Sequence, residues 1–239
     1  MTQLKVGFPL YESFDSLDVL GPFQTFTWAG MDRYLLGPTP AAVTSFEGVA
    51  LTPRKTFDDC AKEHIQFDVL FVPGGANPIA VLKQGHLGSN PFLDFLAAQA
   101  AGCTLVCSVC TGALLLAGAK LLDGQIATTH WAFKSVLSLF PGVTVVDDYR
   151  RYVQSGNRIT GGGISSGLDE ALYIVSLLYG TDQARRGQLA MQYNPQPIFH
   201  CGDPADSDIK DDPGMVQDRI NEFQIPKAVE AVRKWLANG

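Results

Sequence analysis

The stretch that most constrains the fold runs from Cys103 to Leu116, with the sequence CTLVCSVCTGALLL. A short apolar run ends there in a tight turn at Cys110, and a helix of small residues and leucines follows at once. This pattern is typical of a strand–turn–helix unit that exposes a nucleophile at the carboxyl end of a strand. Free N–H groups and the helix dipole at a helix N-terminus favour a thiolate. We therefore predict that Cys110 is the nucleophile of a small-molecule enzyme, with the backbone N–H of Thr111 beside its sulfur.

Other interpretations of the cysteine cluster agree less well with the spacing. A buried cysteine is commonly only a small hydrophobic residue, so it is the position at a turn that favours catalysis at Cys110. Cys103, Cys107 and Cys110 have a spacing seen in iron–sulfur enzymes. However, Cys103 and Cys107 fall on one predicted strand, where four residues span about 13 Å. In a redox pair the first cysteine opens the helix, whereas Cys107 closes the strand. We interpret Cys103 and Cys107 as core or sheet-end residues.

The composition favours a single α/β domain over residues 1–239. With 46% hydrophobic and only 18% charged residues, the chain can bury a large core and a sheet covered on both faces. A net charge of −6 without a basic stripe gives no support for nucleic-acid binding. No apolar run has the length of a membrane span, so we expect no membrane association. Five cysteines, an odd number, and the absence of a recognisable signal peptide predict a cytoplasmic protein without disulfides.

Strand and helix patterns alternate along the chain and predict a three-layer α/β sandwich with a mostly parallel sheet. The predicted strands are 4–10, 33–37, 41–46, 68–72, 103–108, 125–130, 149–154 and 158–161. The predicted helices are 18–29, 90–102, 111–120, 131–140, one that follows a turn over 161–167 and ends at 179, and 181–193. A helical tail over about 213–239 follows, and Pro226 interrupts it. For Pro22 to be tolerated it must lie in the first turn of its helix, which places Asp18 near the N-cap.

Two further loops are predicted to reach the same sheet edge as Cys110. Asp18 follows the first strand, and parallel strands meet at one edge, so Asp18 can be a helix cap and a site residue at once. Gly74 and Gly75 follow an apolar strand that is predicted to be buried on both faces. Glycines at such a strand end leave backbone N–H groups free for a ligand.

Glycines 161–163 and the histidines other than His130 are not predicted to bind a phosphate or a metal. We interpret the glycine run as tight helix–strand packing, because no Lys or Thr follows it at P-loop spacing. His64, His86 and His200 show no spacing typical of metal ligands, so we expect neither a metal nor a cofactor.

Together, four segments resemble the ThiJ/PfpI superfamily: Pro73–Gly75, Ser108–Gly112, Ala127–Ala132 and Ile159–Ile164. Two more, Leu17–Pro22 and Gln192–Phe199, resemble the isocyanide (isonitrile) hydratases within it. The resemblance spans roughly residues 5–204 and implies a flavodoxin-like sheet with a nucleophile elbow. Many peptidase-like relatives have a histidine where this chain has Thr111, and most of the superfamily has a glutamate where the hydratases have an aspartate, here Asp18. Both departures favour a hydratase over a peptidase or deglycase.

The resemblance implies that an isocyanide and water give an N-substituted formamide through a thioimidate on Cys110. Asp18 is then the acid and base, the N–H groups of Gly75 and Thr111 orient water or developing charge, and the Thr111 hydroxyl assists. It also implies a homodimer. His130, Trp131 and Gly74 are expected to line the pocket, and a pocket role for His130 is favoured over a catalytic Cys–His pair like that of class I glutamine amidotransferases.

Two alternatives stay open. Similar elbows occur in the ligand-sensing N-terminal domains of AraC-type regulators, but the acidic charge and the single broken helical tail lead us to expect an enzyme rather than a DNA-binding regulator. Another enzyme of the superfamily, glyoxalase-like or amidase-like, is the second alternative.

Overall fold

A computed structural model describes residues 3–84, 90–206, 208–209 and 212–238. Its strands are β1 (Lys5–Pro9), β2 (Asp32–Gly37), β3 (Val43–Thr44), β4 (Ala50–Leu51), β5 (Lys55–Thr56), β6 (Val69–Val72), β7 (Leu105–Ser108), β8 (Ile126–Ala127), β9 (Thr144–Val145), β10 (Tyr152–Ser155) and β11 (Arg158–Gly161). Its α-helices are α1 (Ser16–Trp28), α2 (Phe57–Lys62), α3 (Pro78–Lys83), α4 (Pro91–Ala100), α5 (Gly112–Gly118), α6 (Lys134–Leu137), α7 (Ser166–Tyr179), α8 (Thr181–Ala190), α9 (Pro213–Glu222) and α10 (Ile225–Asn238).

Seven strands form the central sheet in the order β10-β11-β7-β6-β1-β2-β5. All neighbouring strands are parallel except β10 and β11, which form an antiparallel hairpin at one edge. Every residue of β6 and β7 is buried, because helices cover both faces of the sheet. Helices α1, α7 and α8 pack together in one layer, and α3, α4 and α6 each contact α5 in the other. The predicted α/β class and its mostly parallel sheet are confirmed.

The start of α1 differs from the sequence prediction. Asp15 is its N-cap, accepting hydrogen bonds from the N–H groups of Leu17 at 2.9 Å and Asp18 at 3.3 Å. Asp18 therefore lies inside the first turn and is not the cap. Pro22 lies in the interior of the helix, where it removes one backbone donor. The prediction was wrong because it took Pro22, rather than the Asp15–Ser16 pair, as the marker of the helix start.

Two later elements also differ from the prediction. The predicted strand 125–130 is a strand only at Ile126–Ala127, which pairs with β9 outside the central sheet. His130 then begins a single turn of 3₁₀-helix, Trp131–Phe133, before α6. The C-terminal tail is helical as predicted, but it breaks at Phe223–Gln224, where Gln224 has a φ of +52°. Pro226 is the second residue of α10, a position at which proline is tolerated.

Candidate active site

Cys110 is held at a sharp turn between β7 and α5. Its φ is +56°, a left-handed conformation that costs a non-glycine residue of order 1 kcal/mol or more. Hydrogen bonds hold this turn from both sides: the Cys110 N–H donates to the Gly162 carbonyl, and the Thr129 hydroxyl donates to the Cys110 carbonyl, each at 2.7 Å. Gly112 lets α5 start against the sheet, since a Cβ there would lie 2.3 Å from the Val72 carbonyl oxygen. The predicted elbow is therefore present.

Asp18 is fully buried, and a single backbone group holds its carboxyl. Oδ2 accepts the Gly74 N–H at 2.8 Å. Gly74 cannot carry a side chain, because a Cβ there would lie 2.5 Å from the Thr111 nitrogen and 2.9 Å from Asp18 Oδ2. Oδ1 has no hydrogen bond of normal geometry. The Cys110 thiol lies close enough to the carboxyl to lower its pKa, as the Gly74 N–H also does. The structure thus brings Asp18 and Cys110 together as predicted.

Cys110 and Asp18 share a site in which negative charge is disfavoured. Burial raises the pKa of the Cys110 thiol well above its usual value, and the charges of Asp18 and Asp15 raise it further. Burial also raises the pKa of Asp18, with Asp15 adding to it and the Gly74 N–H opposing it. Two adjacent buried acids cannot both ionise at neutral pH, so the pair keeps at least one proton.

The backbone N–H groups of Thr111 and Ile164 favour the thiolate, as expected for donors beside a sulfur, and lower the Cys110 pKa. Their effect is smaller than that of burial, so the expected thiolate stabilisation is present but not dominant. Ile164 was missed in the sequence. The signal lay in glycines 161–163, which do pack tightly: a Cβ on Gly161 would lie 2.4 Å from Glu170 Oε2.

Gly75 and Thr111 bind each other. The Gly75 N–H donates to Thr111 Oγ1 at 2.9 Å, and that hydroxyl donates to the Gly75 carbonyl at 3.0 Å. The sequence reasoning assigned the Gly75 N–H to substrate or water, but in the structure the Thr111 side chain satisfies it. Thr111 therefore fixes the Gly75 loop with its hydroxyl and faces the sulfur of Cys110 with its N–H.

His130 lines the pocket as a neutral ring. Its Nδ1 accepts the Ala132 N–H at 3.3 Å, so the proton of the neutral imidazole lies on Nε2. Burial lowers the pKa of His130 to about 4. At neutral pH the ring can then donate a hydrogen bond through Nε2 but cannot accept a proton there. Trp131, expected in the pocket, packs beside His130 with ring centroids 5.6 Å apart and is not among the pocket-lining residues, and neither is Gly74.

The pocket that opens at Cys110 has a volume of about 580 Å³. One wall comes from the sheet edge and its loops, including Asp15, Gly75, Cys110 and His130. The opposite wall comes from the end of α9 and the first half of α10, which the sequence analysis did not connect with the site. The residues of this second wall are Glu222, Phe223, Gln224, Lys227, Ala228 and Ala231.

A second buried carboxyl lies below the site. Glu170 of α7 is fully buried, and both of its carboxyl oxygens lack a hydrogen-bond partner. Burial raises the pKa of Glu170 well above its usual value, and the charge of Asp18 raises it further.

Cys103 and Cys107 lie in the core. Burial raises the pKa of the Cys107 thiol well above its usual value and raises that of Cys103 to about 12. Cys103 and Cys107 are core residues as interpreted, and all five cysteines are free thiols.

No group of three or more His, Cys, Asp or Glu side chains within the described ranges could hold a metal ion. His86 lies outside those ranges. In the same part of the chain, none of the helices has the length and apolar character needed to cross a membrane.

With this geometry in place, comparison with known proteins is informative. Residues 4–177 match the sequence model of the DJ-1/PfpI family. The chain belongs to the DJ-1/PfpI family. It is 39% identical to an isonitrile hydratase of Pseudomonas putida over 202 residues, which cover 84% of this chain and 83% of that protein.

Two further relatives extend the comparison. A crystal structure of a ThiJ/PfpI family protein from Pseudomonas syringae matches 97% of this chain and 91% of its own, with a TM-score of 0.85 and 31% identity. The transcriptional regulator GbdR of Pseudomonas aeruginosa is 25% identical over 74% of this chain, but the match covers only 47% of the regulator. The fold is therefore common to proteins whose names denote an enzyme and a regulator.

Proposed function

We propose that this protein is an isonitrile hydratase, which converts an isocyanide R–N≡C and water to the formamide R–NH–CHO. The observation that carries the proposal is the buried pair of Cys110 and Asp18, with Cys110 at the inner end of the pocket and at least one proton retained between the two groups. Hydration of an isocyanide needs both a nucleophile for its terminal carbon and a proton delivered to that same carbon. The 39% identity to the isonitrile hydratase of P. putida supports this choice of substrate class.

In the first step, the sulfur of Cys110 attacks the terminal carbon of the isocyanide. The proton held by the pair moves to that carbon, which gives the thioimidate R–N=CH–S–Cys110 and leaves Asp18 as a carboxylate. The N–H groups of Thr111 and Ile164 stabilise the negative charge on sulfur before the attack.

In the second step, the Asp18 carboxylate takes a proton from water as the hydroxyl oxygen adds to the thioimidate carbon. Asp18 returns this proton to the nitrogen, the C–S bond breaks, and the hydroxyl proton goes back to the pair as the formamide forms. One water is consumed, and Cys110 and Asp18 end in their starting state. His130 keeps its proton on Nε2 throughout and can donate a hydrogen bond to the bound nitrogen or oxygen.

A ligand-sensing role without catalysis is the second candidate, favoured by the similarity to part of GbdR. In this chain, however, α9 and α10 supply one wall of the pocket, so the C-terminal helices serve the site itself. A sensor would bind an isocyanide or another small molecule and release it unchanged.

The test is the formation of a formamide from a simple isocyanide, such as cyclohexyl isocyanide, followed by NMR. We expect Cys110→Ala to reduce turnover to background, because no other group can form the thioimidate. Cys107→Ala is the matched control: this cysteine is three residues away and fully buried, and the folded variant should keep its turnover.

Near-normal turnover by a folded Cys110→Ala protein would overturn the covalent mechanism. If the unmodified protein bound isocyanides but produced no formamide, the sensor role would replace the hydratase. Consumption of methylglyoxal, assayed in parallel, would instead identify a glyoxalase-like enzyme.

A further inference from the structure

The two ends of the pocket differ in charge. The inner end holds Cys110 and Asp15, with Asp18 buried directly beneath them. At the outer end lie two exposed lysines, Lys83 at the last position of α3 and Lys227 in the first turn of α10. An anion bound at the inner end would meet the negative charge already held there, whereas one at the outer end would meet two ammonium groups.

Within the described part of the chain, Glu222 is the carboxylate that lines the pocket near Lys83 and Lys227. This carboxylate forms an ion pair with Arg219 on α9 and with neither lysine. Lys227 Nζ donates to the neutral side chain of Gln224 at 3.2 Å. Over the described ranges, neither Lys83 nor Lys227 forms a salt bridge. Among the residues that the structure describes, no carboxylate pairs with either lysine, so both ammonium groups are available at the outer end of the pocket.

The zone between the two ends is apolar. It is lined by Ile79 of α3, Phe133, Phe223 and two alanines of α10. Phe223 packs edge-on to His130, with ring centroids 5.3 Å apart, so the apolar zone begins directly above the reacting groups. A volume of about 580 Å³ is within the usual range for small-molecule pockets and has room for a ring or chain beyond the isocyanide group.

From this arrangement we infer that the outer end of the pocket is an anion subsite, and that the protein's substrates are isocyanides whose apolar R group ends in a carboxylate. Lys83 and Lys227 bind the carboxylate, the apolar zone holds the middle of the R group, and the isocyanide carbon reaches Cys110. This inference rests on the proposed hydratase function for its reaction, while the subsite itself rests only on the geometry of the pocket.

The test compares ω-isocyano carboxylates of increasing chain length with the matching carboxamides, which have nearly the same shape. At low salt we expect kcat/KM for the best carboxylate to exceed that of its carboxamide by roughly three- to thirtyfold, the scale of two partly screened ion pairs. High salt should reduce this ratio. In the double variant Lys83→Met/Lys227→Met the ratio should fall to about 1, because only the carboxylate loses its charge partners.

The matched control is Lys62→Met/Lys120→Met, which removes two exposed lysines elsewhere and changes the net charge equally. It should keep the ratio of the unmodified protein. A ratio near 1 in the unmodified protein, or one that survives the loss of Lys83 and Lys227, would overturn the subsite.

A second measurement separates the subsite from the hydratase function. The probes are 4-(iodoacetamido)benzoate and its carboxamide analogue, with alkylation at Cys110 followed by peptide mass spectrometry. The benzoate should react faster than its analogue, and the lysine double variant should lose that preference. If isocyanides are not hydrated but this preference holds, the proposed function fails while the subsite stands. Equal alkylation rates with both probes would reject the subsite.

Discussion

The two walls of the pocket are constructed in different ways. The sheet-edge wall is buried: Cys110 and Thr111 are almost fully enclosed, and glycines and backbone hydrogen bonds set the positions of their atoms. The wall formed by α9 and α10 presents exposed side chains, and Phe223 is 42% exposed. The sheet-edge wall lies within residues 4–177, the part that matches the family, and the helical wall lies beyond it.

We expect this difference to separate catalysis, on the sheet-edge wall, from recognition of the R group, on the helical wall. At the elbow that carries Cys110, a Cβ on Gly112 would lie 2.3 Å from a backbone oxygen, so added side-chain atoms there would displace the nucleophile. Side chains of α10 can change without disturbing the elbow, because helix surfaces accept substitution more readily than close-packed turns. Variants of the sheet-edge wall should therefore lower kcat for every substrate, and variants of the helical wall should alter KM according to the R group.

The largest effect in this comparison is expected for Asp18→Asn. The amide oxygen can still accept the Gly74 N–H, and its NH₂ group takes the place of the unpartnered Oδ1, so the fold should persist. An amide cannot carry a proton between water and substrate, so kcat should fall by roughly 100-fold or more for all isocyanides. The measurement is formamide production across substrates with different R groups.

A second readout of Asp18→Asn is the reactivity of Cys110. The charge of Asp18 raises the pKa of the thiol, so its removal should lower that pKa. Alkylation of Cys110 by iodoacetamide at neutral pH should therefore become faster while hydration becomes slower. A variant that hydrates within a few-fold of the unmodified rate would remove Asp18 from the chemistry and leave it as a structural residue of α1.

Much of the sheet-edge wall could be predicted from the sequence because its residues occur in local patterns, although the Ile164 N–H was missed. An apolar run, a cysteine at a turn and small residues predicted the elbow at Cys110, and the glycines after β6 predicted a loop with free N–H groups at the same sheet edge. The donation of the Gly75 N–H to Thr111, by contrast, depends on side-chain geometry across two loops. The role of the helical wall could not be predicted, since Phe223 is more than a hundred residues from Cys110 and no local pattern specifies where a C-terminal helix docks.

A smaller effect, specific to the helical wall, is expected for Phe223→Ala. The aromatic ring contacts His130 and Phe133 and covers the apolar zone of the pocket. An aromatic contact contributes about 0.5–1.5 kcal/mol, so KM for an isocyanide with a bulky apolar R group should rise roughly two- to tenfold while kcat is retained. Met215→Ala is the control. Met215 is an exposed apolar residue of α9, like Phe223 in exposure, but it does not line the pocket. A loss of kcat instead of a rise in KM would show that the two walls do not divide their tasks.

The smallest effect on turnover is expected for His130→Asn, although this residue lies beside the nucleophile. Asparagine can accept the Ala132 N–H as Nδ1 does and can donate a hydrogen bond, so hydration should slow by less than about tenfold, the worth of one hydrogen bond. Because the pKa of His130 in the folded protein is about 4, kcat/KM should show no inflection from this imidazole between pH 5 and 8.

The pH dependence of the unfolding free energy provides a second check of the lowered pKa of His130. Burial lowers the pKa of His130 from 6.5 to about 4, so the unfolded chain takes up a proton before the folded one does. The folded state should therefore lose stability as the pH falls from 6.5 towards 4, by up to about 1.4 kcal/mol per pH unit from this group. The unfolding free energy of His130→Asn, measured with urea, should lack this contribution and decline less over that interval. An equal decline in both proteins would contradict the lowered pKa of His130, and a hundredfold loss of turnover in the variant would give the ring a direct role in the reaction.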